Sequence, residues 1–294
     1  MSFQEIEKKL LHNKVNLAVC MPEDANSLTA AKDATYSGYV NCILVGSPNK
    51  IRSILDEIAP EYSPEIVAAE TPEEAAAKSV ELVKTGKAAA LMKGTISTPI
   101  LLKAVLNKDT GIRQQKILSH VLIFEHNSNL KFLTDGGMIP EPTLEQKAEL
   151  INNAKHAAQK LGIDIVRVAV LAAENKVDLS NEHSCHAAIL AQMSKLGQFG
   201  EDCIIEGPMT LDVAMFPEIA SQKSIFNEVA GKADILLTSD IDTGNVLGKS
   251  LIYHANTLCA GLIIGASCPI ILLSRADSDK VKLNSIKTAL AIGA

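Results

Sequence analysis

Short apolar runs separated by stretches of helical periodicity recur along almost the whole chain, and this alternation most restricts the fold. VNLAVCM from Val15, NCILVG from Asn41, AAALMKG from Ala88, VLIFE from Val121 and LKFLTD from Leu130 read as strands. VRVAVLAA from Val166, CIIEG from Cys203, ADILLTSD from Ala233 and CPIILLS from Cys268 continue the series after Pro140. Helical spacing fills the intervals, as in Pro72 to Thr85, Thr143 to Leu161 and His183 to Leu196. Gln146, three residues after Thr143, predicts a capped helix start there. Strand–helix alternation predicts an α/β fold built on parallel sheets. Only 3% of the residues are aromatic and Trp is absent, so the core must be made of Ala, Val, Ile and Leu. That suits buried parallel strands under helices better than an antiparallel sandwich.

The chain has 294 residues, enough for two domains of ordinary size. Pro140 and Pro142 interrupt the pattern just before a long helix and predict the domain boundary. A net charge of −6 leaves no broad basic field for nucleic acid, so any phosphate must be met by individual Arg and Lys residues. Six cysteines are scattered without a C-x-x-C pair and are expected to behave as small hydrophobes. The first residues lack a secretory apolar core, and no apolar run reaches membrane-spanning length. A reducing cytoplasm and no membrane association are therefore expected.

The C-terminal fifth carries the densest chemistry. CPIILL runs directly into Ser274-Arg275-Ala276-Asp277-Ser278-Asp279, and a helix follows with Val281, Ile286, Ala289 and Leu290 on its apolar face. Ligands of open α/β sheets collect beyond the carboxyl ends of the strands. A helix start there offers N–H groups to an anion, Arg275 a planar fork for phosphate oxygens, and Ser274 a hydroxyl donor. Asp277 or Asp279 could accept a proton. The same residues also suit a plain helix start, with Ser278 as cap, Asp279 complementing the dipole and Arg275 paired with a carboxylate.

Other candidates are local. Lys93 follows an apolar run and precedes Gly94, where it could reach a phosphate or simply be a solvated strand-end lysine. Thr134-Asp135 ends another strand, and Gly136-Gly137 permits close backbone approach or a turn. Gly244 and Asn245 follow ADILLTSD and could line a cleft or start a helix. Gly244 to Ser250 resembles a nucleotide-binding loop but has three residues between its glycines where the phosphate-cradling loop needs four. His183 and His186 share a helix face, yet no third metal ligand lies near them in sequence. No metal site is expected.

Several ordered motifs together resemble the phosphate acetyl/butyryl transferase family. From Gly207 to Ser278 these are GP..LD, VAGKADILL, D.DTGN and AGLIIGASCPIILLSRADS; upstream are LMKGTISTPILLKAVL from Leu91, KILSHV from Lys116 and LTDGG from Leu133. The ending SRADS...KLNSI is closer to the butyryl-transferring branch. The resemblance implies two α/β/α domains with a cleft between them, similar to isocitrate/isopropylmalate dehydrogenase. It puts residues 1–140 plus 262–294 in the first domain and 141–261 in the second.

It also implies an acyltransferase that moves butyryl or a branched short acyl group between coenzyme A and inorganic phosphate, without a covalent enzyme intermediate. Coenzyme A enters as substrate, no cofactor stays bound, and a homodimer or higher homo-oligomer is expected. Ser274 matches the serine that stabilises the reacting centre, and Arg275 the phosphate-binding arginine. The family base is an aspartate shortly after this pair; simple counting reaches Val281, so Asp279 is favoured over Asp277. Lys93 and Thr134 fall to the acyl phosphate, and Gly244, Asn245 and Tyr253 to coenzyme A. Acetyl-transferring members carry an arginine where this chain has Tyr253, next to His254. The alternatives are a phosphate acetyltransferase, a metal-dependent decarboxylating dehydrogenase on the same fold, and a non-catalytic acyl-CoA-binding protein.

Overall fold

A computed structural model describes residues 1–10, 14–272 and 277–293. The chain forms two compact units, one of Ser2–Leu118 with Leu258–Ala294, the other of Met1 with Ser119–Thr257. The first unit begins with α1 (Phe3–Leu10), β1 (Val15–Cys20), α2 (Ala25–Tyr36), β2 (Val40–Gly46) and α3 (Pro48–Ile58). It continues through β3 (Glu65–Ala68), α4 (Pro72–Lys84), β4 (Ala90–Lys93) and α5 (Thr98–Val105). The second unit holds β5 (Ser119–His126), β6 (Asn129–Thr134), α6 (Leu144–Lys160), β7 (Val166–Leu171) and α7 (Glu182–Lys195). β8 (Cys203–Met209), α8 (Leu211–Met215), α9 (Pro217–Gln222), β9 (Ile235–Leu237) and α10 (Ile241–Lys249) complete it, with a π-helical turn over Ser250–His254. β10 (Cys259–Ile264), β11 (Ile270–Ile271) and α11 (Asp279–Gly293) then return to the first unit.

In the first unit the strands lie in the order β3-β2-β1-β4-β11-β10, parallel except that β10 runs antiparallel to β11. In the second the order is β5-β6-β9-β7-β8, parallel except for the β5–β6 pair. The apolar runs are buried along their length: Leu17 to Cys20 and Ala90 to Met92 are fully inaccessible. Strands covered on both faces need that continuous hydrophobicity.

Helix boundaries follow the sequence signals. Thr143 Oγ1 accepts the Gln146 N–H at 3.2 Å while the Gln146 side chain accepts the Thr143 N–H at 2.9 Å, the reciprocal cap expected at the start of α6. α4 starts with Thr71 accepting from the Glu74 N–H, with Pro72 in its first turn, and ends before Gly86 at a φ of +73°.

The two antiparallel pairs correct the expectation of purely parallel sheets. Asn127 and Ser128 both adopt positive φ, 49° and 59°, which makes a two-residue hairpin turn between β5 and β6. β6 then pairs in parallel with β9, Phe132 opposite Ile235. The prolines predict a joint near 140 and the resemblance one near 262; the compact units divide at 118/119, since this hairpin goes with the strands that follow it, and at 257/258. β3 and β10 have no counterpart among the predicted strands. β3 is a partly exposed edge strand, and β10 merges in sequence with the apolar run that supplies β11.

No helix among the described residues is long and apolar enough to cross a membrane. Five of the six free cysteines are buried. Burial pushes the thiols of Cys20, Cys42 and Cys203 up to about 11 and those of Cys259 and Cys268 up to about 12, so they stay protonated as core residues.

Candidate functional site

In the second unit β6, β9 and β7 lie side by side and end at one level, with Thr134 and Val170 both opposite Leu237. The segments that follow hold most of the unit's unusual polar geometry, as expected beyond the carboxyl ends of parallel strands. Thr134 is fully buried; its hydroxyl donates to the His120 carbonyl at 3.0 Å, and its own carbonyl accepts the Thr238 N–H at 2.9 Å. Asp135 follows, 2% exposed, with Oδ1 accepting from Gly137 N at 2.8 Å and Met138 N at 3.0 Å.

The next step brings the loop backbone against α10. A methyl on Gly136 would stand 2.8 Å from the Gly244 carbonyl carbon, and one on Gly244 would run into the Asp135 carbonyl oxygen. Asn245 Nδ2 donates to the Gly136 carbonyl at 3.1 Å and fastens the contact. Glycine at both positions is thus a requirement of close approach.

Asp240 caps α10. Its carboxylate accepts from Thr243 N at 2.8 Å and Ser239 Oγ at 2.6 Å. Burial opposes its ionisation, but the hydrogen bonds from Ser239 and Thr243 outweigh it and hold the carboxyl below its usual range. The first turns of α6, α7 and α10 border a polar cavity of about 950 Å³, with Thr143, Glu182, His183, His186 and Asp240 in its wall. A neighbouring cavity of about 760 Å³ is apolar, lined by Leu171, Ala172, Leu211, Val246 and Leu247.

The two histidines of α7 have a partner the sequence does not reveal. Lys147 of α6, 1% exposed, places Nζ 3.0 Å from His183 Nδ1 and 3.3 Å from His186 Nδ1. An ammonium only donates, so both Nδ1 atoms must be acceptors. That occupies the lone pairs a metal would use. Among the described residues no group of three or more His, Cys, Asp or Glu is placed to hold a metal ion.

The predicted site residues fall as follows. Gly244 and Asn245 meet Gly136 at the loop–helix contact, and Thr134 ends the strand that leads into that loop. Tyr253 lies in the π-helical turn, 56% exposed, with His254 also exposed. In the first unit Lys93 ends β4 with Nζ donating to the Gly94 carbonyl at 3.1 Å, and neighbouring β11 pairs Ile271 with Met92. Asp279 is the first residue of α11, its side chain 83% exposed and 3.4 Å from Lys282 Nζ. Ser278 accepts the Val281 N–H at 3.4 Å, so the capping role read from sequence is present. Ser274 and Arg275 lie outside the described residues.

Sequence reasoning assigns no role to His120 or Lys147. Nothing near either in sequence marks it, since each acquires its neighbours from a different element.

The fold is that of a two-unit α/β protein whose parallel strands end in glycine-rich and polar loops. Residues 61–291 match the family described as Phosphate acetyl/butaryl transferase. The phosphate butyryltransferase of Clostridium acetobutylicum is 39% identical over 295 residues, spanning 99% of this chain and 98% of that protein. The probable phosphate butyryltransferase of Bacillus subtilis is 41% identical over 287 residues, spanning 97% and 95%. Among solved structures, the branched-chain phosphotransacylase from Enterococcus faecalis V583 superposes with a TM-score of 0.84 at 28% identity, covering 95% of this chain and 99% of that one. The chain belongs to the phosphate acetyl/butaryl transferase family.

Proposed function

We propose that this protein is a phosphate acyltransferase that moves a butyryl or branched short acyl group, acyl-CoA + phosphate = acyl phosphate + CoA. The observation that carries the reading is near full-length identity of about 40% to butyryl-transferring relatives. It is supported by the glycine-lined approach of the Asp135–Gly137 loop to α10.

In the direction of coenzyme A acylation, the thiol loses its proton and the thiolate attacks the carbonyl of the acyl phosphate. The thiolate is the competent nucleophile, and a positioned base supplies about 10²–10⁴-fold. Charge builds on the carbonyl oxygen, where the Ser274 hydroxyl donates. Phosphate leaves, held by the Arg275 guanidinium, with Lys93 as a second cation at the end of β4. Gly244, Asn245 and Tyr253 take coenzyme A, while buried Thr134 holds the strand end through the His120 carbonyl. No acyl-enzyme forms. The enzyme works as a cytoplasmic homodimer or higher homo-oligomer.

Tyr253, in place of the arginine of acetyl-transferring members, favours the longer or branched acyl group over acetyl. Phosphate-dependent thiol release measured with acetyl-, propionyl-, butyryl- and isobutyryl-CoA tests this. Higher kcat/KM for butyryl- or isobutyryl-CoA is expected. A maximum at acetyl-CoA favours the acetyl alternative, and no release from any of them refutes the reading.

A further inference from the structure

The reaction needs a group that takes the thiol proton, and the residue predicted for it, Asp279, has its side chain 83% exposed at the solvated start of α11. The position reached by counting from Ser274 is Val281, 8% exposed and without a proton acceptor. A carboxylate in the second unit has what both lack. Asp135 is 2% exposed at the end of β6. Its Oδ1 is fixed by the N–H groups of Gly137 and Met138, but Oδ2 has no hydrogen-bond partner among the described residues. A buried acceptor left without a donor costs about 1–3 kcal/mol, and such atoms in native folds call for a reason such as a catalytic role.

A second orphan lies nearby. Val121 of β5 pairs with Thr134 of β6 at the end of that ladder, and the Thr134 hydroxyl donates to the His120 carbonyl, so His120 and Asp135 each adjoin the last registered pair. His120 Nδ1 is also buried without a partner among the described residues. Gly137 packs on that ring, where a methyl would stand 3.1 Å from Cγ. Positions 136 and 137 carry no side chain, and Gly136 touches the α10 glycine already assigned to the coenzyme.

We propose that Asp135 is the proton acceptor of the acyl transfer, its Oδ2 taking the thiol hydrogen of coenzyme A. The inference rests on the acyl-transfer reading given above. The S–H bond breaks and an O–H bond forms on Oδ2. The thiolate forms the S–C bond to the acyl carbon as the C–O bond to phosphorus breaks, and the departing phosphate or water takes the proton from Asp135. In reverse, phosphate attacks the thioester and protonated Asp135 returns its hydrogen to the leaving thiolate.

The electrostatics agree. Burial lifts the Asp135 carboxyl above its ordinary range; the backbone N–H groups of Gly137, His120, Met138 and Ile139, of which those of Gly137 and Met138 are hydrogen-bonded to Oδ1, pull it down by less. A lifted carboxylate is a stronger base toward a thiol with a reference value of about 8.5. The neighbouring titratable group, His120, is pushed down to about 4 by burial and stays neutral.

The test uses the full-length enzyme with butyryl-CoA and phosphate, and the reverse assay with butyryl phosphate and coenzyme A. Asp135→Asn keeps the Oδ1 acceptor and removes the base. It should retain the wild-type circular dichroism spectrum and leave KM for both substrates within about twofold, while kcat falls by about 10²–10⁴-fold. Asp135→Glu should restore part of kcat. The wild-type kcat profile should carry an acidic limb above the ordinary aspartate range, which Asp135→Asn abolishes. A folded Asp135→Asn with wild-type kcat and an unchanged limb overturns the inference, as does Asp279→Asn carrying the whole loss instead. If Asp135→Asn does not fold, the wild-type limb decides: one near the reference value of about 3.9 counts against Asp135. An inactive wild type sinks the acyl-transfer reading itself, which separates the two failures.

Discussion

Lys147 Nζ stands 3.0 Å from His183 Nδ1, a buried ammonium held by an imidazole with no carboxylate hydrogen-bonded between them among the described residues. His186 repeats the arrangement one helical turn along, at 3.3 Å, and its Nε2 faces Glu182 at 3.5 Å. Lys147 and the two histidines join the start of α6 to the start of α7. The His186 contact holds only while Nδ1 of that ring stays unprotonated.

That makes stability depend on pH in a fixed direction. Burial lowers the His186 pKa, Lys147 and His183 push the same way, and Glu182 and Glu145 oppose with less effect. The unfolded ring titrates near about 6.5. A ring whose folded value lies lower binds more protons unfolded, so its stabilisation is complete above about pH 6.5 and lost as pH falls toward and through the folded value. Denaturant midpoints should therefore drop between about pH 7 and about pH 5. Lys147→Met, which removes the repelling charge, should flatten that dependence; an unchanged slope would contradict the assignment.

Gly244→Ala sets helix propensity against packing. In an unobstructed helix the change would gain about 1 kcal/mol. Here the added methyl meets the Asp135 carbonyl, and overpacking of this kind costs about 1–3 kcal/mol. We expect a net loss in chemical denaturation together with a raised KM for acyl-CoA. A stabilised variant with unchanged KM would show that the loop and α10 do not approach as described.

The helix start at Thr143 is a simpler case. Thr143→Ala removes the acceptor for the Gln146 N–H and should cost about 1 kcal/mol in denaturant titrations without touching KM for phosphate.

Ser274 and Arg275 are assigned by resemblance, and kinetics can separate their roles. Ser274→Ala should cut kcat by about 10²–10³-fold with little change in KM for phosphate, since a donor to the developing oxyanion acts in the transition state. Arg275→Ala should instead raise KM for phosphate or acyl phosphate. Wild-type kinetics in the Arg275→Ala enzyme would remove it from the site.

Which of these features the sequence reveals depends on how local their causes are. The cap of α6 is legible because Thr143 and Gln146 are three residues apart. The strands beginning at Val15, Asn41 and Val166 are legible because burial on both faces demands unbroken apolar runs. β10 is not, because Gly261 and the nearby CPIILL run blur two antiparallel strands into one apolar stretch. The hairpin at Asn127-Ser128 turns on positive φ at two residues that also suit a plain loop. Thr134, Gly244 and Asn245 stand out in the sequence through glycine and strand-end signals. The orphaned atoms of Asp135 and His120 do not, since the two residues come near each other only through the pairing of β5 with β6. The His183–His186 pair is visible as a shared helix face, but the cation that occupies it comes from another helix.

The central claim is tested most directly by following thiol release from butyryl-CoA with and without inorganic phosphate while trapping the acyl product as a hydroxamate. Release that requires phosphate, with one butyryl phosphate formed per thiol, is the predicted result. Thiol release independent of phosphate, or without acyl phosphate, would contradict transfer between coenzyme A and phosphate.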